Sequence, residues 1–208
     1  MLCFCDIPLS KVGKHMEFYG QYGIALKKNA CIKKDVQPVS YVNRNSRLCK
    51  DLSEAFNRLY SENDEIGGKC FFLPDVLMSH LLYTKPIDGY MKDGVGNVVY
   101  RLFQDECEWR YIPSYLGGLS LVLPQKYNNE KGIKYYSDTL DQNEESLFQF
   151  ELEDLEYIIV PDETQAQKLM DYIAQMRTFR NNGKWKVQDK RYLISKIEVA
   201  EKFTQNLV

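Results

Sequence analysis

The chain has 208 residues, a net charge of −2, 44% hydrophobic residues and 27% charged residues, which are ordinary values for a globular protein with room for one sizeable domain. No run approaches the roughly 18 apolar residues of a transmembrane helix, and the start, "MLCFCDIPLSKVGK", lacks the basic first residues and the long apolar centre of a secretory signal. These features argue against a membrane protein and predict a cytoplasmic one, in which thiols stay reduced.

The first half of the sequence alternates short strand and helix patterns. The helix signal is clearest in "RLCKDLSEAFNRLY", where Leu48, Leu52, Phe56 and Leu59 recur on one face. The predicted strands are 2–7, 22–28 and 38–43, and the predicted helices are 10–20, a short one from Asn29, 47–60 and 71–83.

The second half begins with turn formers at 88–97, followed by two apolar runs at 98–103 and 107–113 that we predict to be paired strands. "LSLVLP" fits a strand, and the polar segment after it is typical of a loop. The strand "YIIVP" then precedes Asp162, which with Gln165 forms an N-terminal capping pattern for a helix. A strand at 191–197 and a short helix complete the prediction. The fold class is therefore α+β: one compact domain over 1–208, with a curved mixed or antiparallel central sheet flanked by helices.

Cys3 and Cys5 stand two residues apart in the first strand, which raises the question of a metal or redox site. Structural zinc sites usually have two close pairs of ligands, and only one pair exists here. Residues two apart in a strand share a face, and buried cysteine behaves as a small hydrophobe. We therefore predict no bound metal, no disulfide, and an internal or near-internal strand at 2–7 in which Cys3 and Cys5 are buried.

The strand "ECEWRYIP" carries charges where a strand core would be apolar. Alternation places Glu106, Glu108 and Arg110 on one face, with Trp109 and Tyr111 on the other. One interpretation is a structural ion pair between Glu108 and Arg110. The other is a strand-borne glutamate that binds ribose hydroxyls or acts as a general base.

A basic stretch follows the helix after "YIIVP". Between 177 and 191 there are six basic residues and one acid, with aromatic residues among them. The basic residues are Arg177, Arg180, Lys184, Lys186, Lys190 and Arg191. They are candidates for contact with an anionic partner, either nucleic acid or an acidic protein surface, although basic residues near a helix C-terminus also suit the helix dipole.

Four segments in this order, "LCFCDIPLSKVGKHMEFYGQYGIALKK", "PVSYVN", "DECEWRYIP" and "DLEYIIVPDE", resemble the AbiGi family of bacterial abortive-infection proteins that act against phage. The resemblance runs from residue 2 to about 175. It implies an antitoxin or protein-binding component of a toxin–antitoxin system, whose partner is a toxin or another defence protein. Family members carry a strand and helix before the first of these segments, which implies that Met1 is an internal start or that the chain has been trimmed.

The motif order also resembles, more distantly, the ADP-ribosyltransferase fold of DarT-like toxins. That resemblance implies an alternative function: an NAD-dependent enzyme that modifies nucleic acid or protein. Glu108 would then match the catalytic glutamate, and Tyr22 and Arg110 would lie at the ligand pocket, near Glu108. The basic or histidine residue that those enzymes carry on an early strand would precede Met1. The alternative therefore predicts that this chain by itself is inactive.

Overall fold

The computed structural model describes residues 1–62, 72–94, 96–113, 129–179 and 183–204. The α-helices are α1 (Gly13–Tyr19), α2 (Lys28–Lys33), α3 (Arg47–Glu62), α4 (Phe72–Leu82), α5 (Glu130–Asp141), α6 (Glu163–Gln175), α7 (Val187–Ile194) and α8 (Ala200–Thr204). The strands are β1 (Leu2–Cys5), β2 (Gly23–Leu26), β3 (Gln37–Pro38), β4 (Ser40–Val42), β5 (Thr84–Pro86), β6 (Asp88–Lys92), β7 (Val98–Leu102), β8 (Glu108–Tyr111), β9 (Leu155–Val160), β10 (Thr178–Phe179), β11 (Gly183–Lys184) and β12 (Ile197–Val199).

Helices and strands mix along the chain, which confirms the α+β class. The described strands form small sheets, two of three strands and three of two, rather than one central sheet. The chain divides into two compact units. One consists of residues 1–6, 36–91 and 100–149, and the other of residues 7–35, 92–99 and 150–208. The assignment of the whole chain to a single domain stays a prediction. None of the described helices has both the length and the apolar character needed to cross a bilayer.

The prediction of an internal first strand is wrong. β8 lies at the centre of its sheet, with β1 on one side and β3 on the other, so β1 is an edge strand in the described part of the chain. Leu2 is 45% exposed, and Cys3 and Cys5 are exposed as well. A short apolar run does not reveal how many strands pair with the strand that it forms. An edge strand that packs on one face can have the same apolar sequence as an internal one. Here that packing is aromatic: the ring centroids of Phe4 and Phe148 are 5.2 Å apart.

The second three-stranded sheet is mixed and has the order β12-β9-β2. On one of its faces Ile159 packs with Met16 of α1 and Ala200 of α8. On the other face Val160 packs with Ala166 of α6. The predicted cap of α6 is confirmed, since an Asp162 carboxylate oxygen accepts a 2.8 Å hydrogen bond from the Gln165 backbone N–H. β9 is therefore covered on both faces, in agreement with its near-continuous apolar sequence.

The prediction that 98–103 and 107–113 pair is wrong. β7 pairs instead with β6, because the turn between them is closed locally: the Asn97 backbone N–H donates to an Asp93 carboxylate oxygen at 2.8 Å. A 3₁₀ turn at Phe103–Glu106 and a left-handed Cys107, with φ of 45°, then send β8 to a different sheet.

Two further elements differ from the sequence prediction. The polar segment predicted as a loop contains α5, which is capped by the Asn129 side chain accepting from the Gly132 N–H at 3.0 Å and is supported by a Lys134–Asp138 pair one turn apart. Local capping and pairing thus support a helix that the polar composition of this segment did not indicate. The predicted strand at 191–197 is mostly the end of α7, and only its last residue enters β12. The predicted strand "LSLVLP" lies outside the described residues.

Candidate functional site

Glu108 is the first residue of β8, and it is 5% exposed. The left-handed Cys107 before it ends the preceding turn and starts the strand, so the chain enters the sheet at Glu108. Its backbone N–H donates to the Tyr41 hydroxyl at 2.8 Å. The backbone of the candidate catalytic glutamate is thus fixed by a neighbouring strand, and its side chain lies inside the protein.

Both carboxylate oxygens of Glu108 are engaged by cations. Oε1 accepts a 2.6 Å hydrogen bond from Arg110 Nε, and Oε2 accepts one of 2.5 Å from Lys85 Nζ. The side chains of Arg110 and Lys85 are 11% and 15% exposed. The ion pair considered from strand alternation is therefore present, and it is buried.

Sequence reasoning missed part of this cluster. Lys85 Nζ also binds Glu106 Oε2 at 2.6 Å, and Arg101 Nε lies 3.8 Å from Glu106 Oε1. Lys85 comes from β5, 23 residues before Glu108, and Arg101 comes from β7, beyond the 3₁₀ turn that precedes β8. No strand alternation or helical spacing joins either residue to Glu108. Three cations thus surround two carboxylates, and we call Lys85, Arg101, Glu106, Glu108 and Arg110 the charge cluster.

Backbone carbonyls hold Arg110 in place within the charge cluster. Its Nη1 donates to the carbonyl oxygen of Leu82 and lies 3.4 Å from that of Thr84. Lys85 Nζ lies 4.7 Å from the centre of the Phe103 ring, in a cation–π contact. Arg110 and Lys85 are therefore each positioned by more than a carboxylate partner, as a buried ion pair requires.

The contacts within the charge cluster favour the ionised forms of Glu108 and Lys85. Burial by itself would raise the pKa of Glu108, but hydrogen bonds from Arg110 and Lys85 outweigh it and lower that pKa below its usual value. Burial would lower the pKa of Lys85, but hydrogen bonds to Glu106 and Glu108 outweigh it and raise that pKa. A glutamate held as a carboxylate in this way is poorly matched to a general base that must take up a proton near neutral pH.

We expect stability to fall at both ends of the pH range. Because the pKa of Glu108 is lower in the folded state, its contribution is complete above the unfolded value of about 4.3 and is lost as the pH falls through the folded value. Because the pKa of Lys85 is raised, its contribution is complete below about 10.4 and is lost as the pH rises through the folded value. Urea unfolding from pH 3 to 11 measures both slopes. A Glu108→Gln variant with the same acid slope as the parent would contradict the assignment to Glu108.

Cys3 and Cys5 lie on the strand beside the charge cluster. In the β1–β8 register Cys3 is opposite Arg110 and Cys5 is opposite Glu108. Partial burial of the sulfur, together with the negative charges of Glu106 and Glu108, raises the pKa of the Cys5 thiol to about 12. Partial burial and Glu108 also raise the pKa of Cys3. The prediction that these residues are buried is wrong, yet their thiols are not activated.

We therefore expect slow alkylation of Cys5 in the folded protein, although the residue is exposed. An ordinary cysteine has a pKa of about 8.5, so far more thiolate is present in the unfolded chain, and we expect native labelling by iodoacetamide at pH 8 to be slower by at least about 100-fold. Mass spectrometry of Cys3 and Cys5 with and without urea measures the ratio. Equal rates would show that neither burial nor the neighbouring carboxylates protect these thiols.

The structure brings Glu108 and Arg110 together in one unit, whereas Tyr22 belongs to the other unit. Tyr22 is 66% exposed, and it lines a groove with residues of β2, β9 and α6. The proximity of Tyr22 to Glu108 stays a prediction.

The basic stretch has more than one role. Lys190 Nζ donates to the carbonyl oxygen of Ala174 at 2.8 Å, near the end of α6, as the helix-dipole interpretation predicts. Arg177, Lys186 and Arg191 are exposed. Lys184 is in β11, and Arg180 lies outside the described residues. Contact with an anionic partner stays a prediction, for which these three exposed residues are the best test positions.

We expect charge reversal at Arg177, Lys186 and Arg191 to weaken binding of an acidic partner and to reduce the salt dependence of that binding. Lys190 is left in place, because it binds a helix carbonyl. Titration of the triple glutamate variant at two salt concentrations measures the effect. If affinity and salt dependence both match the parent, the basic stretch is a solvated surface.

Comparison with known proteins places this sequence in a family. Residues 1–161 match the model of a family described as "abortive phage resistance protein AbiGi, antitoxin". A similar protein, the abortive phage resistance protein AbiGi of Lactococcus lactis subsp. cremoris, is 31% identical over 221 aligned positions, which cover 99% of this chain and 88% of that protein. No solved structure matches the chain significantly.

The match covers most of the sequence, and the relative is aligned over nearly its whole length. The chain belongs to the AbiGi family. Its role lies in abortive phage resistance, as the resemblance in the sequence predicts. The ADP-ribosyltransferase resemblance has no counterpart among these comparisons.

Proposed function

We propose that this protein is the antitoxin of a two-component phage defence system and that it acts by binding a protein partner rather than by catalysis. The observation that carries the proposal is the family match over residues 1–161, because the description of that family names an antitoxin. An antitoxin that binds its toxin needs an exposed, complementary surface and no catalytic group.

The charge cluster supports a binding protein. Catalytic glutamates act by taking, giving or attracting charge at a substrate, so at least one carboxylate oxygen must be able to reach it. In Glu108 one oxygen is held by Arg110 and the other by Lys85. The same contacts explain Glu108 as a structural residue that joins β8 to β5.

The experiment is co-expression with the product of the adjacent gene. We expect that product to arrest growth when expressed by itself, and growth to resume when this chain is expressed with it. The two proteins should also co-purify in a fixed ratio from tagged material. Growth arrest that is unaffected by this chain, with no complex on purification, would contradict the antitoxin function.

The alternative is an NAD-dependent ADP-ribosyltransferase-like enzyme in which Glu108 is catalytic and Tyr22 and Arg110 contact the cofactor. The observation in its favour is a glutamate buried on a strand among cationic side chains that would suit the phosphates of NAD. Labelled NAD incubated with the purified chain and with nucleic acid or protein acceptors tests it. We expect no transfer and no hydrolysis. Transfer that disappears in Glu108→Gln would make the enzyme the better proposal.

A further inference from the structure

The outer edge of β2 offers backbone hydrogen-bonding groups to a partner. On β9, the Ile158 N–H donates to the Lys196 carbonyl at 2.7 Å, so the backbone groups of Ile158 face β12 and not β2. Ile24 is directly opposite Ile158 in the antiparallel pair. Opposite residues in such a pair either exchange hydrogen bonds or both point away. The N–H and C=O of Ile24 therefore point outward, and no other described strand pairs with β2.

An apolar groove lies beside this edge. It has a volume of about 700 Å³ and runs between β2, β9 and α6. Ile24 shares the face of Ile158 and Val160, and α6 covers Val160 but leaves Ile24 62% exposed. Leu169 of α6 forms part of the wall. An extended strand added beside Ile24 could place alternate side chains in this groove.

Among the described residues that line the groove, one side chain is cationic. This is Lys168 of α6, which is exposed. The residues one helical turn before and after Lys168, Thr164 and Tyr172, are uncharged. Asp171 instead accepts from the Gln167 side chain at 2.9 Å. Within the described residues Lys168 has no ion-pair partner, so its charge is available to an acidic side chain of an occupant.

We propose that the β2 edge and its groove dock an extended segment of the partner toxin, which adds a strand to the sheet. The segment has apolar side chains over Ile24 and Ile158 and an acidic side chain at Lys168. Main-chain hydrogen bonds would supply affinity, and the groove and Lys168 would supply specificity. The inference rests on the proposed antitoxin function, and it names the surface through which that function acts.

The experiment measures binding of the purified full chain to the purified product of the adjacent gene. Two variants change the docking surface: Ile24→Lys and Lys168→Glu. Their matched controls are Ile32→Lys and Lys33→Glu, which make the same chemical changes at exposed positions of α2 in the same unit. We expect the two docking variants to raise Kd at least about tenfold, and the controls to stay within about twofold of the parent. Because all four positions are exposed, the variants should have the same melting temperature as the parent.

Hydrogen exchange at the Ile24 amide tests strand addition directly. We expect fast exchange in the free chain and slow exchange in the complex, because a strand beside β2 would accept its hydrogen bond. An unprotected Ile24 amide in a complex that the docking variants weaken would overturn strand addition.

The outcomes of these experiments separate failure of the docking inference from failure of the antitoxin function. If the parent binds the adjacent gene product and the docking variants bind as well as the controls do, this inference falls and the antitoxin function stands. If the parent does not bind that protein and does not relieve growth arrest, both fall. If light scattering shows a dimer of the free chain that Ile24→Lys dissociates, a second copy occupies the edge, which overturns the assignment to a toxin.

Discussion

Replacement of Glu108 by Gln is expected to lower the free energy of unfolding by about 3–5 kcal/mol, the usual effect of breaking a buried ion pair on one side. The substitution keeps the shape of the side chain, removes its charge and replaces one acceptor oxygen by an NH2 donor. Arg110 and Lys85 would then face a neutral amide in a site where their side chains are almost buried. Urea denaturation at pH 7 measures the change.

The matched control is Glu145→Gln, which makes the same change at an exposed position of the same unit. It should alter stability by less than about 0.5 kcal/mol. The enzyme alternative predicts the opposite sign at Glu108, since active sites hold groups at some cost to stability, and removal of a catalytic glutamate leaves the melting temperature unchanged or raises it. A Glu108→Gln variant at least as stable as the parent would therefore remove the structural interpretation of the charge cluster.

Replacement of Ile173 by Ala is the second substitution with a large expected effect. It should lower the free energy of unfolding by about 2–5 kcal/mol. Ile173 lies on α6 and is 3% exposed, so the substitution removes buried methyl groups and leaves a cavity where α6 meets the rest of its unit. Thermal and urea unfolding measure it. If β9 and α6 form one cooperative core, the whole of this unit should lose stability together.

The control for Ile173 is its neighbour Tyr172, which is 66% exposed on the same helix. Tyr172→Ala should change stability by less than about 0.5 kcal/mol. Alanine has a higher helix propensity than either residue, so equal losses for the two variants would contradict the assignment of Ile173 and Tyr172 to the buried and exposed faces of α6. The pair also checks that α6 keeps its groove-facing residues in place for the docking experiment.

The sequence by itself determined the elements whose signals are local. α6 has an apolar stripe, an Asp162 cap and a preceding buried strand, and each of these depends on residues within a few positions of one another. The same holds for α3 and for the shared face of Glu108 and Arg110, because residues two apart in a strand lie on the same side. The ion pair between them was one of two interpretations that the sequence left open. The order of short motifs was also sufficient to indicate the AbiGi family.

Only the tertiary structure decided which strands are neighbours. β8 pairs with β1 and β3, both far from it in sequence, and the register of those pairs places Cys5 opposite Glu108. Lys85 joins the charge cluster for the same reason. Long-range pairing depends on how whole faces pack, and a run of four or five residues fits several arrangements almost equally well. The outward direction of the Ile24 amide depends on how β2, β9 and β12 pair. No local pattern in the chain encodes that pairing.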